Sequence, residues 1–146
     1  MYKSVGLACD HAGYLFKEKI KNYLNEKGIV TIDFGAYSEQ SVDYPDFAHK
    51  LSLAVENKEV EIGFSFCGSG NGINMAANKH QGIRSALCWN AEISKLARQH
   101  NDANICAIPA RFIDEKIALA IVDEFLKTHF EGGRHAVRVE KIKLNK

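Results

Sequence analysis

Hydrophobic residues along this chain follow two alternating patterns. Short runs rich in β-branched, aromatic and small apolar residues are typical of buried strands, and longer segments with apolar residues three or four positions apart are typical of helices. The short runs predict five strands, at residues 4–9, 29–34, 61–66, 83–88 and 104–108.

The segments that follow the strands predict five helices. In the first, Leu15, Ile20, Tyr23 and Leu24 share one face, and Gly28 is a suitable residue just beyond the end of a helix. The other helices are predicted at residues 45–57, 72–79, 91–101 and 114–129.

This alternation of strands and helices predicts a parallel sheet covered on both faces, in one doubly wound α/β domain that spans residues 1–146. Ligands of such sheets bind beyond the carboxyl ends of the strands. The segments at or near those ends are polar, and we expect them to gather on one side of the sheet: 9–11, Gly35, 67–72, 88–90, 99–102 and 109–111.

Composition and charge exclude several classes of protein. The 146 residues are 46% hydrophobic and 25% charged, as in an ordinary soluble domain, and the formal net charge of +1 gives no general attraction for nucleic acid or anionic lipid. No apolar run approaches the ~20 residues that span a bilayer, and no signal peptide is recognisable. The four cysteines form no CxxC pair, so we expect a cytoplasmic protein with reduced thiols.

The segment after the third strand is the most informative. Its glycines allow a tight turn that directs several backbone N–H groups at one point, and the following helix adds its positive end, which suits an anion or an oxyanion. Cys67 opens this loop, and such a position predicts a thiol pKa below the usual ~8.5. A dinucleotide-binding fingerprint would require glycine where Ile73 stands. The residues of the loop are Cys67, Gly68, Ser69, Gly70, Asn71 and Gly72.

Three further groups of residues are candidates for catalytic or ligand-binding roles. Asp10 and His11 follow the first strand, where they are either a helix cap and a solvated ring or part of a site. His100 lies at the end of the fourth helix, where a cation is favourable in any case. Arg134 and Arg138 follow a glycine pair; if that segment is helical, both guanidinium groups lie on one face and can grip a phosphate.

Taken together, the motifs of the chain resemble those of the ribose-5-phosphate isomerase B family, which also contains the galactose-6-phosphate isomerase subunits. The resemblance extends over almost the entire chain, with the motifs in the order and spacing of that family. The segments that match are 9–13, 43–46, 67–73, 76–79, 82–86, 98–104 and 131–135.

The resemblance implies a Rossmann-like three-layer sandwich and an aldose–ketose isomerase acting on ribose 5-phosphate and ribulose 5-phosphate, in the pentose phosphate pathway. Cys67 matches the base that moves a proton between C1 and C2 through a cis-enediolate, and Ser69 matches the hydroxyl that helps to move a proton between O1 and O2. The N–H groups of residues 68–72 would stabilise the enediolate. His100 matches the residue that opens the furanose ring, and Asp10 would hold sugar hydroxyls.

The same resemblance implies an active site shared by two subunits of a homodimer, with the tail 130–146 reaching the partner and with tetramers of paired dimers left open. The phosphate contacts would be His11, Arg111, Arg134 and Arg138, with His135 as a weaker candidate. Asn101, Arg111, Arg134 and Arg138 would reach the Cys67 of the other chain.

Two positions vary within the family. Some members use a glutamate as base where this chain has Ile73, which places it in the cysteine-using group, and many relatives carry glycine and serine where Pro109 and Ala110 precede Arg111. No cofactor and no metal is expected, since the chemistry requires none. The alternatives are an isomerase of a six-carbon sugar phosphate such as allose 6-phosphate or galactose 6-phosphate, a non-catalytic phosphosugar-binding module and a nucleotide-binding domain.

Overall fold

A computed structural model describes residues 1–145 of the chain. Five parallel strands form one sheet in the order β2-β1-β3-β5-β4, with helices between consecutive strands and two more after β5. The strands are β1 (Ser4–Cys9), β2 (Val30–Asp33), β3 (Ile62–Cys67), β4 (Ser85–Leu87) and β5 (Ile105–Pro109). The helices are α1 (Tyr14–Glu26), α2 (Tyr44–Glu56), α3 (Asn71–Ala77), α4 (Ala91–Asn101), α5 (Glu115–Lys127) and α6 (Arg134–Glu140).

Strand register defines the two edges of the sheet that matter for function. Cys9 pairs with Phe66 in the neighbouring strand, and Cys67 pairs with Pro109, so the carboxyl ends of the three central strands are level. At the other end, Gly63 pairs with Ile105, the first residue of β5. We call these the carboxyl edge and the amino edge.

The core lies on both faces of the sheet, because side chains alternate along each strand. Leu7 packs with Phe64, Ile121 and Phe125 on the face that α1 and α5 cover, while Ala8 packs on the opposite face beneath α2. On that second face α2 approaches the sheet closely: a Cβ added to Gly6 would lie 2.5 Å from Leu51 Cδ1. The glycine is therefore needed for packing.

All five predicted strands and the order of the helices are confirmed, and the boundaries of α4 agree residue by residue. β4 is shorter than predicted, at three residues, and α5 ends at Lys127. The conditional prediction of a helix from Arg134 to Arg138 is confirmed by α6. No helix within residues 1–145 has the length and apolar character needed to cross a bilayer.

The predicted apolar face of α1 is wrong in one respect. Leu15 is 55% exposed, whereas Lys17 is completely buried on the face it shares with Ile20 and Leu24. The Lys17 ammonium lies 2.6 Å from both carboxylate oxygens of Asp33 and 2.8 Å from the carbonyl oxygen of Ala36. A buried charge is tolerated when it is paired in this way, and the pair ties α1 to the segment after β2.

Candidate active site

The loop between β3 and α3 surrounds the Cys67 thiol with backbone N–H groups. Gly70 has a φ of 76°, and a Cβ there would lie 2.4 Å from Leu87 Cδ1, so the turn requires glycine. This turn directs the N–H groups of Gly70, Gly72 and Ile73 at the sulfur. The loop therefore has the donors that would stabilise a negative charge beside Cys67.

The expectation of a depressed pKa at Cys67 is wrong for this chain. The side chain is only 4% exposed, and its burial raises the pKa of the thiol above the ordinary value. Donation from the three N–H groups lowers the pKa, and the nearby Asp10 carboxylate raises it further. Burial is the largest of these effects, so the resting group is a neutral thiol.

Asp10, His11 and Arg111 join Cys67 at the carboxyl edge, as predicted. The Asp10 carboxylate is buried and accepts a hydrogen bond from the N–H of Gly13 at 3.0 Å. The backbone N–H of Val42 donates to His11 Nδ1 at 3.2 Å. Because Nδ1 accepts this bond, the imidazole N–H is on Nε2, where it can donate to an anion.

Arg111 and Ser69 flank the same loop. The Arg111 side chain packs on its own chain's Gly68, with Cδ 3.3 Å from the position of an added Cβ, which corrects the expectation that Arg111 reaches the partner's thiol. The backbone N–H of Arg111 also donates to the Gly68 carbonyl at 3.0 Å. Ser69 is exposed, and its Oγ accepts from the N–H of Asn71 at 3.3 Å. The hydroxyl hydrogen is thus available to a ligand.

Tyr44 is a neighbour of the site to which the sequence analysis gave no role. Its ring lies over Gly72, 2.4 Å from the position of an added Cβ, and the side chain is 39% exposed. The sequence feature that could have indicated a place in the site is its position in the segment 43–46, one of the matching motifs. The ring forms a wall beside the glycine-rich loop.

The other predicted site residues lie at the opposite edge of the sheet. His100 is in the last turn of α4, which ends before β5 begins at the amino edge. The level of Cys67 lies four residues further along β5 than the amino edge. At 3.3 Å per residue, the two levels are about 13 Å apart. The expectation that residues 99–102 gather with the glycine-rich loop of the same chain is therefore wrong.

α6 places its side chains beside His100. The imidazole rings of His100 and His135 stack, with centroids 4.2 Å apart and planes at 12°. Burial, then the nearby His100, lowers the pKa of His135 below the ordinary value for histidine. Arg134 and Arg138 are exposed on the same short helix. The cationic part of the candidate site is thus assembled on the amino edge.

A buried arginine fixes the end of α4. The Arg98 guanidinium donates to the carbonyl of Ala103 at 2.6 Å and to the carboxylate of Asp102 at 3.0 Å. Arg84 donates from the other side to the carbonyls of Asn101 and Asp102, at 3.1 and 2.9 Å. Asp102 has a φ of 46°, so the two arginines hold a strained residue directly after His100 and Asn101.

Two side-chain clusters were not foreseen from the sequence. His49 and His80 hydrogen bond at 2.8 Å, and His80 also contacts the Glu56 carboxylate at 3.1 Å. His100, Glu131 and His135 offer ligand atoms that lie within 4.8 Å of one another, although no arranged set of metal ligands was expected. Each cluster brings together two segments that are distant in sequence.

The fold and the site define an α/β protein with a thiol in a loop of backbone N–H donors at the carboxyl edge of a parallel sheet. The model of the Ribose/Galactose Isomerase family matches residues 5–142. The chain belongs to this family.

Similar proteins agree in sequence and in structure. Ribose-5-phosphate isomerase B of Escherichia coli (strain K12) is 43% identical over 140 residues, which cover 96% of this chain and 94% of that protein. A ribose 5-phosphate isomerase from Thermotoga maritima is 48% identical with a TM-score of 0.95, over 96% of this chain and 97% of the other. The predicted Rossmann-like sandwich is thereby confirmed.

One similar structure contains a ligand. Ribose-5-phosphate isomerase B from Mycoplasma genitalium, solved with bound ribulose-5-phosphate, is 40% identical with a TM-score of 0.91, over 95% of this chain and 93% of that chain. The ligand is a five-carbon sugar phosphate.

Proposed function

We propose that this chain is a ribose-5-phosphate isomerase of the pentose phosphate pathway, which interconverts D-ribose 5-phosphate and D-ribulose 5-phosphate in the cytoplasm. The observation that carries the proposal is a buried thiol at the centre of a ring of backbone N–H groups, in a chain of the Ribose/Galactose Isomerase family. The ribulose-5-phosphate in a relative's structure favours the five-carbon substrate over the six-carbon alternatives.

The reaction moves two protons and requires no net redox change. The Cys67 thiolate takes the proton from C2 of the open-chain aldose, and the electron pair left behind forms the C1–C2 double bond of a cis-enediolate. The thiol then returns the proton to C1, while the hydroxyl proton of O2 passes to O1 with the help of Ser69. The N–H groups around the loop stabilise the negative oxygen.

Ring opening must precede this step, because ribose 5-phosphate is mostly a cyclic furanose. We assign the proton transfers of ring opening to His100 and the hold on the sugar hydroxyls to Asp10. His11, with its N–H on Nε2, and Arg111 are placed to bind an anion beside the loop. Arg134 and Arg138, with His135 as a weaker contact, would bind the phosphate from the amino edge of another subunit.

The separation of the two edges supports an active site shared between two subunits. The amino edge, where His100 lies in the last turn of α4, is about 13 Å along the sheet from the level of Cys67, and α6 packs beside His100. A second copy can bring its amino edge to the carboxyl edge of the first, with Asn101 and the tail 130–146 included. The proposed active unit is therefore a homodimer with two shared sites, and tetramers would pair such dimers.

A substrate comparison tests the proposed function. Initial rates on ribose 5-phosphate, allose 6-phosphate and galactose 6-phosphate should be measured side by side with one purified preparation. We expect the highest kcat/KM on ribose 5-phosphate. A higher value on either six-carbon substrate would reject the proposed substrate but keep the reaction class, whereas no turnover of any of the three would reject the isomerase itself.

A further inference from the structure

The cluster of His100, Glu131 and His135 has the composition of a zinc site. Two imidazoles and one carboxylate are a common set of protein ligands for Zn²⁺, with water or another molecule in the fourth position. The three ligand atoms lie within 4.8 Å of one another, and His135 Nε2 is 3.7 Å from Glu131 Oε2. Side-chain rotation would be needed to bring all three to coordination distance.

A second observation is the state of the His135 ring. The residue is only 7% exposed, and its Nε2 has no hydrogen-bond partner among residues 1–145. A buried polar atom without a partner is costly, and a bound ion would satisfy it. This unpaired nitrogen is the atom that lies 3.7 Å from Glu131 Oε2, a member of the cluster.

The backbone already holds the three residues together. The N–H of Glu131 donates to the carbonyl of Gln99 at 3.1 Å, next to His100. The N–H of His135 donates to the carbonyl of Gly132 at 3.0 Å, which fixes the start of α6. Only side-chain rotations then separate the present arrangement from a coordinated one.

One rotation is required by geometry. The lone pairs of an imidazole lie in its ring plane, and the planes of His100 and His135 are only 12° apart. Two stacked rings cannot both direct a lone pair at one ion, so one ring must turn about χ2, a torsion with a broad energy profile. His100 is the less buried of the two, so we expect its ring to be the one that turns.

We propose that His100, Glu131 and His135 bind Zn²⁺, and that the bound ion inhibits the enzyme by occupying His100. Binding depends only on the cluster. Inhibition rests on the proposed function, because a lone pair held by zinc cannot exchange a proton with the furanose oxygen. Mg²⁺ should not replace zinc here, since it prefers oxygen ligands and binds imidazole weakly.

Binding is measured first, by titrating the purified chain with ZnCl₂ in competition with a chromophoric zinc chelator. We expect one site per chain, at least about tenfold weaker in Glu131→Gln and in His135→Asn. Glu140→Gln, an exposed carboxylate outside the cluster, is the matched control and should bind as the unmodified chain does. Cys67→Ala should also keep the site.

Inhibition is measured second, with ribose 5-phosphate as substrate. Each variant is compared with its own rate in the absence of zinc. The half-inhibiting zinc concentration of Glu131→Gln should rise at least about tenfold, and Glu140→Gln should remain as sensitive as the unmodified enzyme. Zinc binding that is lost in Cys67→Ala but kept in Glu131→Gln and His135→Asn would overturn the proposed site. Binding at the cluster without inhibition would overturn the inhibitory role. An inactive chain that binds zinc as expected would instead reject the proposed function.

Discussion

Mixing two inactive variants tests whether the site is shared between subunits. The first variant is Cys67→Ala, which removes the base at the carboxyl edge. The second combines Arg134→Ala with Arg138→Ala, which removes two exposed cations from α6 at the amino edge. Each variant alone should be inactive or nearly so, because every site in its dimers lacks either the thiol or both arginines.

The activity expected from the mixture follows from the placement of the residues. In a mixed dimer of a two-fold symmetric pair, one site combines both defects and the other has none. Random exchange of equal amounts makes about half of the dimers mixed, and each has one intact site of two. We therefore expect about a quarter of the specific activity of the unmodified enzyme.

The assay requires verified exchange and a control. Subunits should be exchanged under mild denaturation, mixed dimers confirmed by native mass spectrometry, and ribulose 5-phosphate formation followed. The control mixes Cys67→Ala with Ser69→Ala, two changes in the same loop, so every site in a mixed dimer is defective. If verified mixed dimers of the first pair stay inactive, or if the control pair recovers equally, the proposed shared site is wrong.

Four further results are expected. Cys67→Ala should lower kcat by about 10²–10⁴-fold with the fold retained, the usual loss when a general base is removed, and near-normal turnover of the purified variant would reject Cys67 as the base. Burial raises the pKa of Cys67, so kcat/KM should rise with pH from 7 towards 9 as the thiolate forms; a fall over that range contradicts this assignment. Burial also raises the pKa of Cys9 to about 12. The unfolded chain would lose that proton first, near its ordinary ~8.5, so stability measured by urea denaturation should fall as the pH rises from there towards 12 and should not increase. Activity should survive millimolar EDTA, because the proposed reaction uses no metal; a loss that a divalent ion restores would contradict this.

Much of the fold could be predicted because strands and helices have local signatures. The runs at residues 4–9 and 91–101 match β1 and α4 at both ends, since buried strands and capped helices are marked in the adjacent sequence. Lys17 was missed because a buried charge depends on a partner, Asp33, that only the folded chain brings near. Hydrophobicity alone placed Leu15 in the core instead.

The sequence predicted which candidate residues follow the strand ends, but not how the candidate residues are arranged. Cys67, Asp10 and His11 follow strand ends, so the topology alone gathers them. The pKa of Cys67 was predicted in the wrong direction because the sequence shows the donors of the loop but not the depth of burial. The stack of His100 on His135 links segments that no local pattern connects.

The separation of the two edges has a consequence for the number of sites. A parallel sheet places the ends of its connecting helices and the ends of its strands at opposite edges, so His100 and Cys67 of one chain cannot meet without unfolding α4 or β5. A two-fold axis that brings the amino edge of one chain to the carboxyl edge of a second necessarily repeats the contact in the other direction. Under the proposed function, a dimer therefore has two complete sites and a monomer has none. Activity should accordingly be lost on dilution below the dissociation constant of the dimer, even though each folded chain keeps every catalytic residue.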